Sequence, residues 1–403
     1  MSDFGAHAHL LANAGALDPL MLRIGDASVV MLGAADHGTH DFQHWRVEIT
    51  RRLVAEHGFS FVAVEGDWAD CARVDRAVRP TGAEPPAPAA ALRSVERWPT
   101  WMWANEEVLG FCDWLRRWNA GHDRRVGFHG LDVYSLWEST RAIVDYLRGH
   151  DPAAIPAAVR AYRGLEPPAR NTAARFVRAG LEPGVVGLLT YLRRHAVERV
   201  GEEFAAWQSR DVVPGAEGYY RSMVAGDVPS RTLRATHLAD TLDRLLEHYG
   251  RGAKAVVWAH NAHVGDARAT AGPVSPGQLA RQRHGADSVV LVGFGGYQGT
   301  VVAAADWGEP PRVSAVPPAR AGSVEALLRG SGHERALFVF PRVDQPRWLT
   351  EPVDHRAMGV LHEPDGYEET VLGARYDAFC WFHHTTALHP LHALSPEREP
   401  AAA

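Results

Sequence analysis

The sequence has little cysteine, almost no lysine and no long hydrophobic segment among its 403 residues. The three cysteines, Cys71, Cys112 and Cys380, are odd in number and far apart, which excludes a disulfide framework or a CxxC metal knuckle within the chain. This use of cysteine suits a reducing compartment, so we expect a cytoplasmic protein. No stretch approaches the ~20 apolar residues that cross a bilayer. Residues 1–20 lack the basic start of a signal peptide, and we expect no leader.

Several catalytic and nucleotide-binding signatures are also absent. There is no GxSxG nucleophile elbow, no GxxxxGK[ST] phosphate loop and no HExxH zinc motif. The glycine-rich segment 293–299 lacks the GxGxxG spacing of a dinucleotide loop, and we interpret it as a turn between strands. We therefore expect no cofactor.

The charge balance gives no reason to expect nucleic acid or an anionic membrane as a partner. The 42 basic and 48 acidic residues leave a net charge of −6, and Lys254 is the only lysine. A hydrophobic fraction of 46% against 22% charged residues is typical of a globular protein with a sizeable core. The unusual count is 22 histidines, because histidine changes its charge near neutral pH.

Five short apolar segments predict buried strands, at residues 28–33, 61–64, 126–129, 255–258 and 288–294. Apolar residues at helical spacing lie between them, as in residues 42–57, which stop at Gly58. Continuous apolar strands that alternate with helices indicate an α/β fold with a largely parallel central sheet flanked by helices. Shorter strands are predicted at 300–303, 336–340 and 378–382, and antiparallel pairing is one option for them.

The stretch from 151 to 250 contains no convincing strand. Its helical patterns, at 153–162, 185–197 and 238–249, indicate a helical lid subdomain inserted into the α/β core. The first part of the core is then residues 1–150, and the second part is residues 251–403. The segment 80–91 is rich in proline and alanine and predicts a surface loop.

Ionisable residues follow four of the predicted strands. In chain order they are Asp36, His37 and His40, then Glu65 and Asp67, then His129 and Asp132, and finally His260 and His263. Ligands of open α/β sheets bind beyond the carboxyl ends of the strands, so four such ends predict a functional site at that edge.

His37 is the leading candidate in this group. It precedes two small residues, Gly38 and Thr39, that would let a ligand approach the backbone, and its imidazole could take a proton from water. The alternative is a helix-capping turn, with Thr39 or Asp41 as the cap and His37 in solvent.

Glu65, at the end of a buried strand, would be costly without a partner. It could orient His37 or hold water, or it could form a structural ion pair with an arginine such as Arg46. His260 and His263, three residues apart, could pair as metal ligands, but a third and a fourth ligand are not evident, and we expect no metal. Trp101 and Trp103 could wall an apolar pocket.

The sequence resembles the erythromycin esterase family, which also contains succinoglycan-biosynthesis-like proteins. The segments that carry the resemblance include 32–42, 61–68, 111–115, 130–135 and 258–263, and it runs from about residue 27 to 390. It implies an α/β core with a helical lid over a cleft, and hydrolysis of a macrolide lactone by water with a histidine base and no serine nucleophile. His37 matches that base. The resemblance places Glu65, Arg46, His260 and His263 on other cleft positions, with Glu65 holding the imidazolium or the water and Arg46 or His260 stabilising the oxyanion.

The departures from the family pattern concern two carboxylates. Ala34 stands where the family has a glutamate, and Ala235 follows Arg234 where the family has an aspartate. Asp36 could replace one of them, although its side chain should point elsewhere on the turn. His129 occupies a position where an aromatic is common. These changes alter the charge and water placement around His37, and they indicate a shifted reaction or substrate.

Three functions follow as hypotheses. The first is a hydrolase acting on an ester or lactone of a secondary metabolite, with a hydrophobic, macrolide- or polyketide-like small molecule as partner. The second is a non-hydrolytic tailoring enzyme that uses His37, His129 and His260 for proton transfers in cyclisation, elimination or isomerisation. The third is a protein that sequesters a metabolite. As substrate-contacting residues we predict Asp36, Asp67, Trp101, Trp103, His129, Asp132, Tyr134, Arg234 and His237.

Overall fold

The structure is a computed structural model in which residues 4, 7–80, 85–96, 98–132, 229–306 and 308–394 are described. The strands among these residues are β1 Ala8–Leu10, β2 Val29–Leu32, β3 Phe61–Asp67, β4 Gly127–Asp132, β5 Ala255–Trp258, β6 Val289–Ala303, β7 Arg312–Val316, β8 Arg335–Val339, β9 Pro352–Arg356, β10 Tyr367–Val371 and β11 Ala378–Thr385.

The α-helices of the same residues are α1 Asp18–Ile24, α2 His40–His57, α3 Trp68–Val78, α4 Pro88–Arg93, α5 Glu106–Gly121, α6 Pro229–Tyr249, α7 Asn261–Val264, α8 Pro276–His284, α9 Val324–Leu328, α10 Arg347–Thr350 and α11 Leu372–Arg375. Short 3-10 helices lie at Ala14–Leu17, Thr100–Met102, Ala267–Ala269, Ala286–Ser288 and Arg329–Ser331.

Nine strands form the central sheet, in the spatial order β1-β8-β11-β6-β2-β5-β3-β4, with β7 paired to β6. The neighbouring strands from β4 to β11 pair in parallel, whereas β8, β1 and β7 pair antiparallel with their neighbours. The predicted α/β class with a largely parallel sheet is therefore confirmed. Strands β9 and β10 form a separate antiparallel pair.

Both faces of the central strands are covered, which explains why these strands are apolar at every position. In β2, Val29 and Met31 face one core cluster, and Val30 and Leu32 face the other, because successive side chains of a strand point to opposite faces. Helices α2 and α5 cover the second face, and α6 contributes to the first.

Helix α6 contains the predicted helical segment 238–249. Its buried residues Leu238, Leu242 and Leu245 recur at helical spacing and pack in the cluster that includes β2 and β3. The other helical patterns of the predicted lid, 153–162 and 185–197, lie outside the described residues. The division of the chain at residues 150 and 250 stays a prediction.

The interpretation of 293–299 as a turn is wrong, because these residues lie inside strand β6. Gly293 and Gly295 pack under the ring of Phe379 on β11, and a Cβ at either glycine would come within 2.6 and 2.8 Å of that ring, respectively. The glycines therefore admit an aromatic side chain between paired strands, and do not mark a reversal of the chain.

Two further sequence expectations are refined by the structure. The segment 300–303 is the end of β6 and not a separate strand, while 336–340 and 378–382 correspond to β8 and β11, which pair antiparallel. Part of the predicted loop 80–91 belongs to α4, which begins at Pro88. Within the described part of the chain, every helix is too short or too polar to cross a membrane.

Candidate active site

Four neighbouring strands deliver polar residues to one edge of the sheet. His37 follows β2, His260 follows β5, Glu65 lies near the end of β3, and Asp132 ends β4. Because β2, β5, β3 and β4 are adjacent and parallel, their carboxyl ends meet at this edge. Glu65 has the largest number of polar partners there, and we call the residues around it the Glu65 cluster: His37, Glu65, Asp132, Arg234, His260 and His263.

Glu65 is a buried carboxylate, 6% exposed, with donors on both oxygens. Its Oε1 accepts from Nη2 of Arg234 at 2.8 Å, and its Oε2 accepts from the backbone N–H of His260 at 2.8 Å. Burial by itself would raise the pKa of Glu65, but His263 and Arg234 hold that pKa well below its usual range. Glu65 is therefore a fixed negative charge at neutral pH.

His37 faces this charge without a hydrogen bond to it. Its ring is 7% exposed, and Nε2 lies 3.9 Å from Oε2 of Glu65. Among the described residues, neither ring nitrogen of His37 has a hydrogen-bond partner. Burial lowers the pKa of His37 to about 3 against the opposing effect of Glu65, so the imidazole is neutral at physiological pH.

The loop that carries His37 is held by its own side chains and by β6. Asp36 accepts from the Gly38 N–H and from the Thr39 hydroxyl, both at 2.9 Å, so its carboxylate is turned into the loop. Burial raises the pKa of Asp36 to about 6. Thr39 is the N-cap residue of α2, but its hydroxyl serves Asp36 and not the helix. The alternative of a solvated His37 beside a capping side chain does not describe this loop.

Gly38 is small for a reason other than ligand access. A Cβ on Gly38 would lie 1.8 Å from the carbonyl oxygen of Val302, so the backbone of β6 already occupies that space. The expectation that Gly38 opens the backbone to a ligand is wrong, because the glycine allows strand and loop to meet.

His260 has both ring nitrogens engaged. Nδ1 accepts from the N–H of Ala262, which caps α7, so Nε2 carries the hydrogen and donates to the carbonyl of Ala35 at 3.1 Å. Burial lowers the pKa of His260 to about 4. Its ring centroid lies 5.2 Å from that of His37. His260 is thus a neutral side chain that positions two loops.

Arg234, from α6, joins β3, β4 and α7. Its Nη2 and Nε donate to both carboxylate oxygens of Asp132, which is fully buried, and Nη2 also donates to Glu65. Its Nη1 lies 3.0 Å from Nε2 of His263. This arginine was predicted to contact substrate, and the structure places it as the cationic partner of two buried carboxylates.

His263 is the most exposed member of the Glu65 cluster, at 21%. Its Nε2 lies 3.1 Å from Oε1 of Glu65 as well as 3.0 Å from Arg234. Arginine can only donate and a carboxylate can only accept, so Nε2 serves one of the two: it either accepts from Arg234, with the ring hydrogen on Nδ1, or donates to Glu65. In the described residues Nδ1 has no partner.

Arg46 is close to the cluster but is not the partner of Glu65. Its Nε donates to the Gly33 carbonyl at 2.8 Å, Nη2 donates to the Ala259 carbonyl, and Nη1 reaches Gln43 at 3.4 Å. Burial lowers the pKa of Arg46 to about 9. These contacts tie the ends of β2 and β5 together, and the arginine paired with Glu65 is Arg234.

The other predicted substrate contacts are spread over several places. His129 bonds the Tyr249 hydroxyl at 2.8 Å and stacks on Trp68, and burial lowers its pKa to about 4. Asp67 caps α3 through the Ala69 N–H at 3.0 Å.

Trp103 is buried and donates to the Glu65 carbonyl at 3.0 Å, while Trp101 is buried beside Val302 and Leu388. His237 lies 3.3 Å from the Thr241 hydroxyl, one turn further along α6. Tyr134 lies outside the described residues.

Asn261 is a residue that the sequence analysis did not select. Its amide accepts from the Phe294 N–H at 3.2 Å and donates to the Phe294 carbonyl at 2.7 Å, and its oxygen fills the space where Gly33 lacks a Cβ. An asparagine between His260 and His263, next to a strand end, is the only signal that could have indicated it.

The two carboxylates that the family pattern predicts at positions 34 and 235 are absent, because both residues are alanine. Ala34 and Ala235 are both buried, and the carbonyl of Ala34 accepts from the N–H of Asn261 at 2.8 Å. Asp36 cannot replace the acid missing at position 34, because both of its oxygens bond its own loop.

The family model described as erythromycin esterase matches residues 54–385 of the chain. Among solved structures, the chain is similar to a succinoglycan biosynthesis protein, at 20% identity over 96% of both chains, with a TM-score of 0.79. It is also similar to a Bacillus cereus protein, at 19% identity over 96% of this chain and 98% of that chain, with a TM-score of 0.79. A mutant of the erythromycin esterase EreC in its open conformation matches at 17% identity over 93% of this chain and 94% of that chain, with a TM-score of 0.70. At these identities, the solved structures show a shared fold.

Proposed function

Because the chain belongs to the erythromycin esterase family, we propose that it hydrolyses an ester or lactone of a secondary metabolite, with His37 as general base and no covalent nucleophile. One observation carries the proposal. His37 is a neutral imidazole whose nitrogens have no hydrogen-bond partner in the described residues, and it faces the charge of Glu65 at 3.9 Å.

In the proposed reaction, His37 takes a proton from water, and the resulting hydroxide attacks the carbonyl carbon. The carbonyl electron pair moves to oxygen, and the tetrahedral intermediate then collapses to a carboxylic acid and an alkoxide. The imidazolium returns its proton to the alkoxide, so that the enzyme ends in its starting state. A base in hydrogen-bond reach of water typically contributes 10²–10⁴-fold to such a rate.

Glu65 supports the charged state of His37 that arises during the reaction. The low pKa keeps the base neutral before substrate binds, and a nearby anion stabilises the imidazolium as it forms. At the separation of these two groups, an ion pair near a protein surface is worth up to about 4 kcal/mol before any offset from Arg234.

His263 is the donor that we assign to the oxyanion or to the leaving oxygen. When Nε2 accepts from Arg234, Nδ1 carries the ring hydrogen and can donate it to the substrate, and the ring is the most exposed in the cluster. The donors of Arg46 and the Nε2–H of His260 are directed at backbone carbonyls, so these two residues are better suited to hold the loops. Such positioned donors typically contribute about 3 kcal/mol to a barrier.

The substrate that we propose is a small hydrophobic metabolite of macrolide- or polyketide-like chemistry. Alanines at positions 34 and 235 remove two negative charges from the family's cleft, which favours a substrate other than the one that needs both acids. We also propose that the protein is cytoplasmic, because its three scattered cysteines suit a reducing compartment.

Hydrolysis is favoured over the alternative of non-hydrolytic tailoring. That alternative uses His37, His129 and His260 for proton transfers, yet His260 has both nitrogens engaged and His129 bonds Tyr249. A metabolite-sequestering protein would have no need for an unbonded base opposite a buried carboxylate.

Heavy-oxygen water tests the proposal. The protein would be incubated with a panel of macrolides, simple lactones and aryl esters in H₂¹⁸O, and the products analysed by mass spectrometry. We expect one ¹⁸O atom in the carboxylic acid product. His37→Ala should lose turnover and with it the label, whereas His57→Gln, at the far end of α2, should keep both. Conversion without label, or full turnover by His37→Ala, would contradict the proposal.

A further inference from the structure

Outside the Glu65 cluster, three potential metal ligands converge from distant parts of the chain. They are His40 at the start of α2, Glu107 in the first turn of α5, and His389 beyond β11. Nδ1 of His40 lies 2.7 Å from Oε1 of Glu107, and Nδ1 of His389 lies 2.8 Å from the same oxygen. Among the described residues, these three form one group whose ligand atoms all lie within 4.8 Å of one another. We call it the His40 cluster.

The backbone around the His40 cluster is held from both sides. The N–H of His40 donates to the Thr386 carbonyl at 2.8 Å, and the N–H of Glu106 donates to the His389 carbonyl at 2.8 Å. The N–H of Leu391 donates to Ala104 at 2.9 Å. The segment 386–391 therefore bridges the starts of α2 and α5, and this holds the backbones of the three ligand residues close together before any ion binds.

The donor set selects the type of ion. Two imidazole nitrogens and one carboxylate oxygen suit Zn²⁺ and similar divalent transition metals, whereas Mg²⁺ and Ca²⁺ prefer oxygen ligands. Zinc binds such atoms at about 2.0–2.2 Å in a tetrahedron, which places ligand atoms roughly 3.4 Å apart. The hydrogen-bonded atoms must separate by less than 1 Å to reach that geometry, and His389, 61% exposed, has room to rotate.

We propose that His40, Glu107 and His389 bind one divalent transition-metal ion of the zinc class, with a solvent molecule as the fourth ligand. Glu107, 5% exposed, anchors the site, and the ion replaces the two hydrogens that now lie between its carboxylate and the imidazoles. The ion cross-links α2, α5 and the segment 386–391 at a point three residues from His37. This site is separate from the proposed hydrolysis and does not depend on it.

His44 provides a sharp alternative within the same region. It lies one turn after His40 on α2, and the two rings stack with centroids 5.8 Å apart. A helical pair of histidines could bind an ion by itself, but the ring of His44 is outside the group of three close ligand atoms. The two arrangements predict opposite results for His44 and His389.

The test uses the full chain without a polyhistidine tag, treated with a chelator and then titrated with Zn²⁺ in competition with a chromogenic chelator. We expect one tight equivalent per chain. His40→Gln, Glu107→Gln and His389→Gln should each weaken it at least ~10-fold. His44→Gln and His263→Gln are the matched controls and should bind as the wild type does. Circular dichroism without metal verifies the fold of each variant.

Cobalt supplies a second measurement on the unaltered protein. Co²⁺ in this site should give the visible bands of a four- or five-coordinate ion, and added Zn²⁺ should abolish them. Unchanged zinc affinity in all three ligand variants would overturn the proposal. A loss of zinc affinity in His44→Gln as large as that in His40→Gln would also overturn it. So would a loss of zinc affinity in His263→Gln while the three ligand variants bind zinc as the wild type does. An octahedral Co²⁺ spectrum, or none, would count against it equally.

Discussion

The backbone N–H of His260 donates to Glu65 at 2.8 Å, while the imidazole of the same residue turns away to the carbonyl of Ala35 at 3.1 Å. The residue therefore contributes to the candidate active site through its main chain. Its ring serves as the N-cap of α7 and as a brace for the loop before His37. A histidine at a strand end can thus be essential for geometry without exchanging a proton.

His260→Asn should retain activity within about tenfold, whereas His260→Ala should lose more. Asparagine is a good N-cap residue and keeps the backbone donor to Glu65, but alanine removes a cap that is typically worth about 1 kcal/mol. The measurement is kcat/KM on an ester or lactone that the proposed hydrolysis assay identifies as a substrate. Equal and large losses in both variants would indicate that the imidazole takes part in the chemistry.

His37→Ala should lower kcat by 10²–10⁴-fold with little change in KM, because the base acts mainly in the transition state. His57→Gln, on the same helix-loop unit but far from Glu65, is the control and should behave as wild type. Comparable activity in His37→Ala and the control would remove His37 from the mechanism.

Arg234→Met should reduce the free energy of unfolding by about 3–5 kcal/mol, since it leaves the buried carboxylates of Glu65 and Asp132 without their shared cation. Urea denaturation measures this loss. The surface variant Arg347→Met, which breaks only an exposed pair with Glu351, should change the same quantity by less than about 1 kcal/mol. A loss in Arg234→Met as small as in Arg347→Met would show that the carboxylates do not need the arginine.

The protein should lose stability as the pH falls from about 6.5 towards 4. His37 has a folded-state pKa of about 3, and that of an unfolded histidine is about 6.5. Between these values the unfolded chain binds the proton more readily than the folded one, so acid favours unfolding. The contribution of neutral His37 to stability is complete above pH 6.5, and it is lost at about 1.4 kcal/mol per pH unit as the pH falls through this window.

His37→Asn removes that contribution, and the slope of unfolding free energy against pH between 6 and 4.5 should become shallower by about that amount. Denaturant unfolding at four or five pH values measures the slope for both proteins. An unchanged slope would mean that His37 titrates alike in the folded and unfolded chains.

Gly293→Ala and Gly295→Ala should each destabilise the protein by about 1–3 kcal/mol, because the new methyl group meets the ring of Phe379. Gly110→Ala is the matched control: no atom lies within 4 Å of its added Cβ, and the change in helix α5 should stabilise by up to about 1 kcal/mol. Phe379→Leu should reduce the penalty of Gly293→Ala in a double-mutant cycle. If the effects of Gly293→Ala and Phe379→Leu on the free energy of unfolding were additive, the contact with Phe379 would not be the cause of the destabilisation.

The strand ends were predictable because apolar runs identify buried parallel strands, and such strands collect their polar successors at one edge. This reasoning located Glu65, Asp132 and His260 correctly at a common edge of the sheet. The same reasoning was wrong for the glycines of β6. Glycine usually indicates a turn, whereas Gly293 and Gly295 lack a side chain because the ring of Phe379 on another strand packs against them.

The partner of Glu65 and the hydrogen bonds of His37 and His260 could not be predicted from the sequence. Arg234 lies 169 residues from Glu65, and the choice between Arg234 and Arg46 as its partner depends on how helices α6 and α2 pack. That His260 is fully engaged and His37 is not follows from single hydrogen bonds to Ala35 and Ala262, which no spacing of residues encodes.

The carbonyl of Gly38 accepts from the N–H of Val302 and from the N–H of Leu388, both at 3.0 Å. The loop that carries His37 thus completes its contacts only with residues that lie much later in the chain. On the ribosome, the residues of β2 are made early, but the loop that carries His37 must wait until Leu388 has been made. A translation product that stops before Val302 would contain His37 in its sequence and still lack both of these contacts of its loop.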